Sequence, residues 1–174
     1  MNLPIGIPIK QGVDVATVNF MGLLAEVMKK KFDGYLCICV QGRGGMEEGT
    51  LVFEDGRIVA SMYEYFRYNK ILMGEQAFAR VLNASAAKHG IIEIYQLTAE
   101  QVQLILAFNE QAIFVPVERD LRNVNINEFS IAYEERVQEE KKESKDTKEN
   151  LLKKYKIEEA GGKPDEERDM SQVY

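Results

Sequence analysis

The run Gln41-Gly42-Arg43-Gly44-Gly45 has the residue types of an anion cradle. Glycines let backbone amides come close to a phosphate, and Arg43 adds a charged donor. The spacing weakens that idea. Glu47 follows where a dinucleotide fingerprint needs its third glycine, no Gly-Lys-Ser/Thr run occurs, and the next segment reads as strand where such loops lead into a helix. Gly42, Arg43, Gly44 and Gly45 therefore stand as a candidate anion loop beside the plainer reading of a flexible hairpin loop, whose turn needs glycine equally.

Other chemically able residues are scattered. His89 is the only histidine, set just before Gly90, and a general base needs a partner and a shielded pocket that the sequence does not name. Glu47-Glu48 and Glu54-Asp55 place carboxylates at one hairpin, but neighbours on a strand face opposite sides, so both pairs are expected to be solvated strand ends. Cys37 and Cys39 are the only cysteines; two apart on a strand they share a face, and they read as reduced core thiols, neither disulfide nor metal pair. No catalytic, cofactor or metal-binding residue is assigned from this set, and the expectation is a protein that is not an enzyme.

The aromatic stretch Met62-Tyr63-Glu64-Tyr65-Phe66-Arg67-Tyr68-Asn69-Lys70 mixes rings with cations, a combination that stacks bases in single-strand binders. A net charge of -6 argues against a nucleic-acid partner and against an anionic membrane surface. Tyr63, Tyr65, Arg67 and Tyr68 read instead as plain fold packing or, with Tyr63 and Tyr65 lining one face of the strand and Phe66 turned into the core, as a surface that a protein partner could use.

These residues need a scaffold, and the chain supplies its pattern. Length and composition, 174 residues with 45% hydrophobic, suit one domain plus an appendage. Phe20, Leu24, Val27 and Met28 recur at helical spacing ahead of Lys29-Lys30-Lys31. Tyr35 to Val40 is an apolar, β-favouring run that reads as a buried strand. Glu48 to Ser61 then forms two strands joined by Asp55-Gly56, a dipeptide made for a tight primed turn. Ala77, Phe78, Val81 and Leu82 make a second helical stripe, Ile91 to Tyr95 a fourth strand, and Thr98 with Gln101 a capping box that opens a third helix, stapled by Leu97 and Val102.

The fold class is thus α+β: an antiparallel β-meander sheet with helices packed mainly on one face, in the order α-β-β-β-α-β-α, plus a charged C-terminal tail. Val115-Pro116-Val117 marks the boundary, giving a domain over 1–116, a partly packed extension over 117–133 and a tail over 134–174. From Glu134 to Asp169, 23 of 36 residues are charged, too many for a core of their own, so the tail is expected to be largely disordered. Within it, residues 147–159 pattern as a short helix carrying Leu151, Leu152 and Tyr155 as a second contact surface. No signal peptide or uninterrupted apolar span is seen, so the protein is expected in the cytoplasm. Exposed strand edges would let two copies pair as a homo-oligomer.

Gly49 to Ala60, followed by Gly74 to Leu82 and by Gly90 to Tyr95, resembles an uncharacterised family of archaeal, chiefly methanogen, proteins that is similar in turn to the PatA N-terminal (PATAN) domain of bacterial signalling proteins. The resemblance covers about residues 14 to 112. It implies an α+β adaptor or regulatory module, which in bacteria accompanies receiver and other signalling domains, and it brings no catalytic residues. The functional expectation is a non-catalytic protein-interaction or regulatory module; the alternative is a small-ligand or nucleotide sensor that uses the 41–45 loop, and no cofactor is assigned.

Overall fold

The computed structural model describes residues 3–122 and 128–155. The chain divides into two compact units, Met1–Gln138 and Glu139–Tyr174.

The first unit is built on an antiparallel sheet of six strands: β1 (Ile7–Asp14), β2 (Gly34–Gln41), β3 (Met46–Glu54), β4 (Arg57–Tyr65), β5 (Lys70–Met73) and β6 (Gly90–Gln96). Their spatial order is β1-β6-β2-β3-β4-β5. The hairpin of β3 and β4 turns at Asp55 and Gly56, with φ of 47° and 75°. Both lie in the left-handed region, as a primed turn requires to match the twist of its strands.

Helices α1 (Phe20–Lys29), α2 (Glu75–Ala84) and α3 (Ala99–Phe108) follow the expected stripes and caps. Asn19 caps α1 by accepting from the Gly22 amide at 2.9 Å. The predicted capping box of α3 is complete, Thr98 and Gln101 each bonding the other's backbone amide. The sheet is covered on both faces, because its side chains alternate and both sets are apolar. On one face Leu36, Ile38, Leu51, Phe53, Tyr63, Tyr65, Ile92 and Ile94 pack with α1 and α2. On the other, Tyr35, Val52 and Ala60 pack with Leu97, Val102 and Ile105 at α3.

The expected order of elements is present, with two strands added at the sheet edges. β1 is mostly exposed and contains Pro8, and its pairing with β6 is interrupted by bulges; proline and bulges belong at edges, where a lost ladder bond costs least. β5 is only four residues long. Neither carries the alternation by which interior strands are recognised. Phe66, expected in the core, opens a 3-10 turn over Phe66–Tyr68 and is 48% exposed, since Tyr65 takes the inward position and the chain reverses directly after it.

Beyond Pro116 lie α4 (Glu118–Arg122) and α5 (Ala132–Tyr155). Phe129 and Leu121 pack against the first core and Val137 is 4% exposed within it. Glu134, at the start of the expected tail, is 1% exposed. The second unit begins at Glu139 and is helical through Tyr155, where Ser144 and Thr147 donate to the carbonyls of Lys141 and Glu143. Leu151, Leu152 and Tyr155 lie in this helix; their side chains, and residues 156–159 of the expected 147–159 helix, are outside the described residues. No helix among the described residues is long and apolar enough to cross a membrane.

Candidate functional site

Arg80 lies on the buried side of α2, at helical spacing from Ala77 and Ala84 and next to the buried Val81. A cation in an apolar stripe must find an acid or a stack of hydrogen-bond acceptors. Glu47, near the start of β3, supplies the acid. It pairs in register with Tyr65 and, two residues on, Gly49 pairs with Tyr63, so Glu47 and both tyrosines rise from the same face beneath α2.

The resulting cluster is tightly bonded. Arg80 Nη2 donates to Glu47 Oε2 at 2.7 Å, and Tyr63 OH donates to the same oxygen at 2.6 Å. Arg80 Nη1 donates to Asn83 Oδ1 at 2.7 Å and to the Ser130 carbonyl at 3.0 Å. Four rings surround the guanidinium: Tyr63 and Tyr65 from the sheet at 5.2 and 5.7 Å, Phe129 and Tyr133 from the later segment at 4.4 and 5.1 Å. Such cation and ring contacts strengthen when desolvated.

Burial works against the Arg80 charge, but the Glu47 carboxylate bonded to it more than offsets this and its pKa is raised. Burial likewise pushes the Tyr63 and Tyr65 hydroxyls far above their ordinary range, so both stay neutral. Three atoms of the cluster are buried without a hydrogen bond: Glu47 Oε1, Tyr65 OH and Arg80 Nε. Each such atom costs about 1–3 kcal/mol of desolvation.

The 41–45 loop closes over this cluster. A Cβ at Gly42 would collide with Glu47 Oε1, and one at Gly44 with Glu134 Oε1 and the Tyr68 hydroxyl. The glycines thus admit two carboxylates. The Arg43 amide donates to Glu134 Oε2 at 3.1 Å, Tyr68 OH to Glu134 Oε1 at 2.8 Å and Arg67 Nη1 to the Gly44 carbonyl at 3.0 Å. The Arg43 guanidinium lies 3.6 Å from Glu135, with 68% of its side chain exposed.

Several expected site residues therefore have a different environment from the one read in sequence. Tyr63 and Tyr65, read as either fold packing or a partner surface, are 0% and 1% exposed, because the register points them at α2. Arg67 is exposed and donates to the Gly44 carbonyl of the loop, while Tyr68 is partly exposed and donates to Glu134. Glu47, expected to be solvated, is 2% exposed. Glu48 faces the opposite side, paired with Cys39 and Glu64; burial first, then the carboxylates of Glu64 and Glu93, raise its pKa. Glu54 accepts from Gln103, and Asp55 lies 3.8 Å from Lys31. His89 is exposed, with its carbonyl accepting from Gln41. Cys37 and Cys39 are free thiols, and burial pushes Cys37 up to about 12. Among the described residues no group of three or more His, Cys, Asp or Glu is arranged to hold a metal.

Arg80, Asn83 and Glu134 were not singled out from sequence. A cation at a stripe position of α2 was a legible signal that a buried acid must exist, though not of which one.

A second feature lies on the far face of the sheet. Leu104, Ile105, Phe108 and Asn109 of and after α3, with Leu3 and Pro4, line an apolar depression of about 430 Å³. Leu104 is 52% and Phe108 77% exposed.

Residues 1–109 match the family described as uncharacterised proteins conserved in archaea (DUF2226). The chain belongs to this family. Neither a curated protein nor a solved structure matches the chain. The archaeal family's span contains Arg43, Glu47, Tyr63, Tyr68, Arg80 and Asn83, whereas Phe129, Ser130, Tyr133 and Glu134 lie outside it.

Proposed function

We propose that this archaeal family member is a non-catalytic protein-interaction or regulatory module that acts in the cytoplasm, in the manner of the PATAN adaptors it resembles, with a signalling role as the setting. The observation that carries this reading is the depression beside α3, where Leu104 and Phe108 stand exposed next to Leu3 and Pro4. Large apolar side chains gathered on a surface favour contact with another protein, since their burial on binding releases ordered water. The polar groups, by contrast, are mostly engaged with one another beneath α2.

Quantitative capture from native extract tests it, with the parent chain and Leu104→Glu and Phe108→Glu variants as baits. A protein enriched by the parent and lost with both variants is the expected result. Equal recovery by all three baits, or none above background, counts against it.

The sensor reading has weaker support. The loop glycines border carboxylate oxygens of Glu47 and Glu134, which repel an anion, and the Arg43 amide is already bonded. A thermal shift with nucleotides or phosphorylated metabolites that disappears in Arg43→Ala would favour it.

A further inference from the structure

Residues 128–137 are held against the domain in the way that a binding protein holds a peptide. Asn83 Nδ2 donates to the Glu128 carbonyl at 2.9 Å, and Asn83 Oδ1 accepts from the Ser130 amide at 3.0 Å. One side-chain amide thus spans main-chain groups two residues apart, a contact made to the backbone whatever its side chains are. Arg80 adds a bond to the Ser130 carbonyl and lies against the rings of Phe129 and Tyr133. Glu134 then engages Tyr68 and the Arg43 amide, and Val137 enters the core.

The receiving groups Arg43, Tyr68, Arg80 and Asn83 all fall within the family span of 1–109, and every group received lies beyond it.

We propose that Arg80 and Asn83 head a peptide-recognition pocket, and that residues 128–137 are its built-in ligand, held in cis and displaced by the same sequence supplied in trans. The pocket selects an aromatic residue followed, four and five positions on, by an aromatic residue and a glutamate, as Phe129, Tyr133 and Glu134 provide. The Ser130 hydroxyl is not read, since it faces the Ala132 amide. This site is separate from the α3 surface, so the Leu104 and Phe108 variants leave it intact and the two proposals fail independently.

A labelled peptide of residues 128–138, followed by fluorescence anisotropy, tests the pocket in the full chain. A tethered ligand competes at high effective concentration, so the parent should bind the peptide at least tenfold more weakly than a Phe129→Ala/Tyr133→Ala variant. Adding Asn83→Ala to that variant should lower its affinity at least tenfold. Equal binding by parent and variant, binding that survives Asn83→Ala, or no binding by a variant with native circular dichroism would each overturn the proposal.

Should the variant not fold, hydrogen exchange on the parent chain decides. The Ser130 and Glu135 amides, both bonded in the structure, should exchange at least tenfold faster than Leu51 in β3, through opening of the segment alone. Exchange of all three at one rate would mark a segment released only by global unfolding, and the pocket would not be a receptor.

Discussion

Glu47 Oε2 and Arg80 Nη2 meet at 2.7 Å with their side chains 3% and 0% exposed, so β3 and α2 are joined by an ion pair that water does not reach. A buried pair gains strong attraction and pays heavily in lost hydration, and its net worth over an apolar pair is small. A wrong register or helix placement would strand one charge.

Removing one partner alone should therefore be costly. Glu47→Gln is expected to destabilise the chain by about 3–5 kcal/mol in urea unfolding, and Glu47→Gln/Arg80→Met should recover much of that loss. A double-mutant cycle that proves additive would show the two groups to be uncoupled.

Glu134 is the acid that ties α5 to the loop. Glu134→Ala removes the carboxylate that accepts from the Tyr68 hydroxyl and the Arg43 amide and should cost about 1–3 kcal/mol. The exposed neighbour Glu139 provides the comparison: Glu139→Ala should stay within about 0.5 kcal/mol of the parent in the same thermal or urea experiment.

Gly56 combines a φ of 75° with a Cβ position that would run into the Met28 carbonyl oxygen. Gly56→Ala should destabilise by more than about 1 kcal/mol, read as a lower urea midpoint at unchanged slope. An unchanged midpoint would contradict the turn geometry.

The raised pKa of Glu48 fixes the sign of a pH effect. A carboxyl that holds its proton more tightly in the folded chain weakens stability above its folded pKa, and the penalty fades as pH falls through that value and below the ordinary 4.5. Glu48→Gln should accordingly stabilise by about 0.2–1 kcal/mol at pH 7, the scale of a cross-strand like-charge pair. The difference should shrink on acidification towards pH 4, and a benefit that grows instead would refute the assignment.

Cys37, with its pKa pushed up to about 12 from an ordinary 9.0, carries little thiolate at pH 8. Alkylation of the native chain at that position should run about a thousandfold slower than in urea, following the thiolate fraction. Mass spectrometry of quenched samples measures it, and comparable native and denatured rates would place the thiol in water.

The sheet's interior was legible because each element announces itself within a few residues. Asp55-Gly56 accepts the positive φ of its turn, Thr98 and Gln101 cap their helix reciprocally, and the apolar run from Tyr35 to Val40 suits only a strand buried on both faces. The edge strands were not legible. An edge needs no alternation and tolerates Pro8 and bulges, so its residues look like loop. The sequence leaves open whether Tyr63 and Tyr65 face the core or a partner for a related reason: alternation puts them on one face, and only packing says which face α2 covers.

Chain-local physics, acting through backbone preference, capping and hydrophobic period, determined from sequence that this is an α+β protein with an antiparallel sheet and a charged C-terminal region. Tertiary structure alone decided that Glu47 would answer Arg80, 33 residues away, and that Glu134 would answer Tyr68, 66 residues away. The reason is that a buried charge states its need for a partner in its own neighbourhood, while the partner's identity depends on strand register and helix placement, which long-range packing sets.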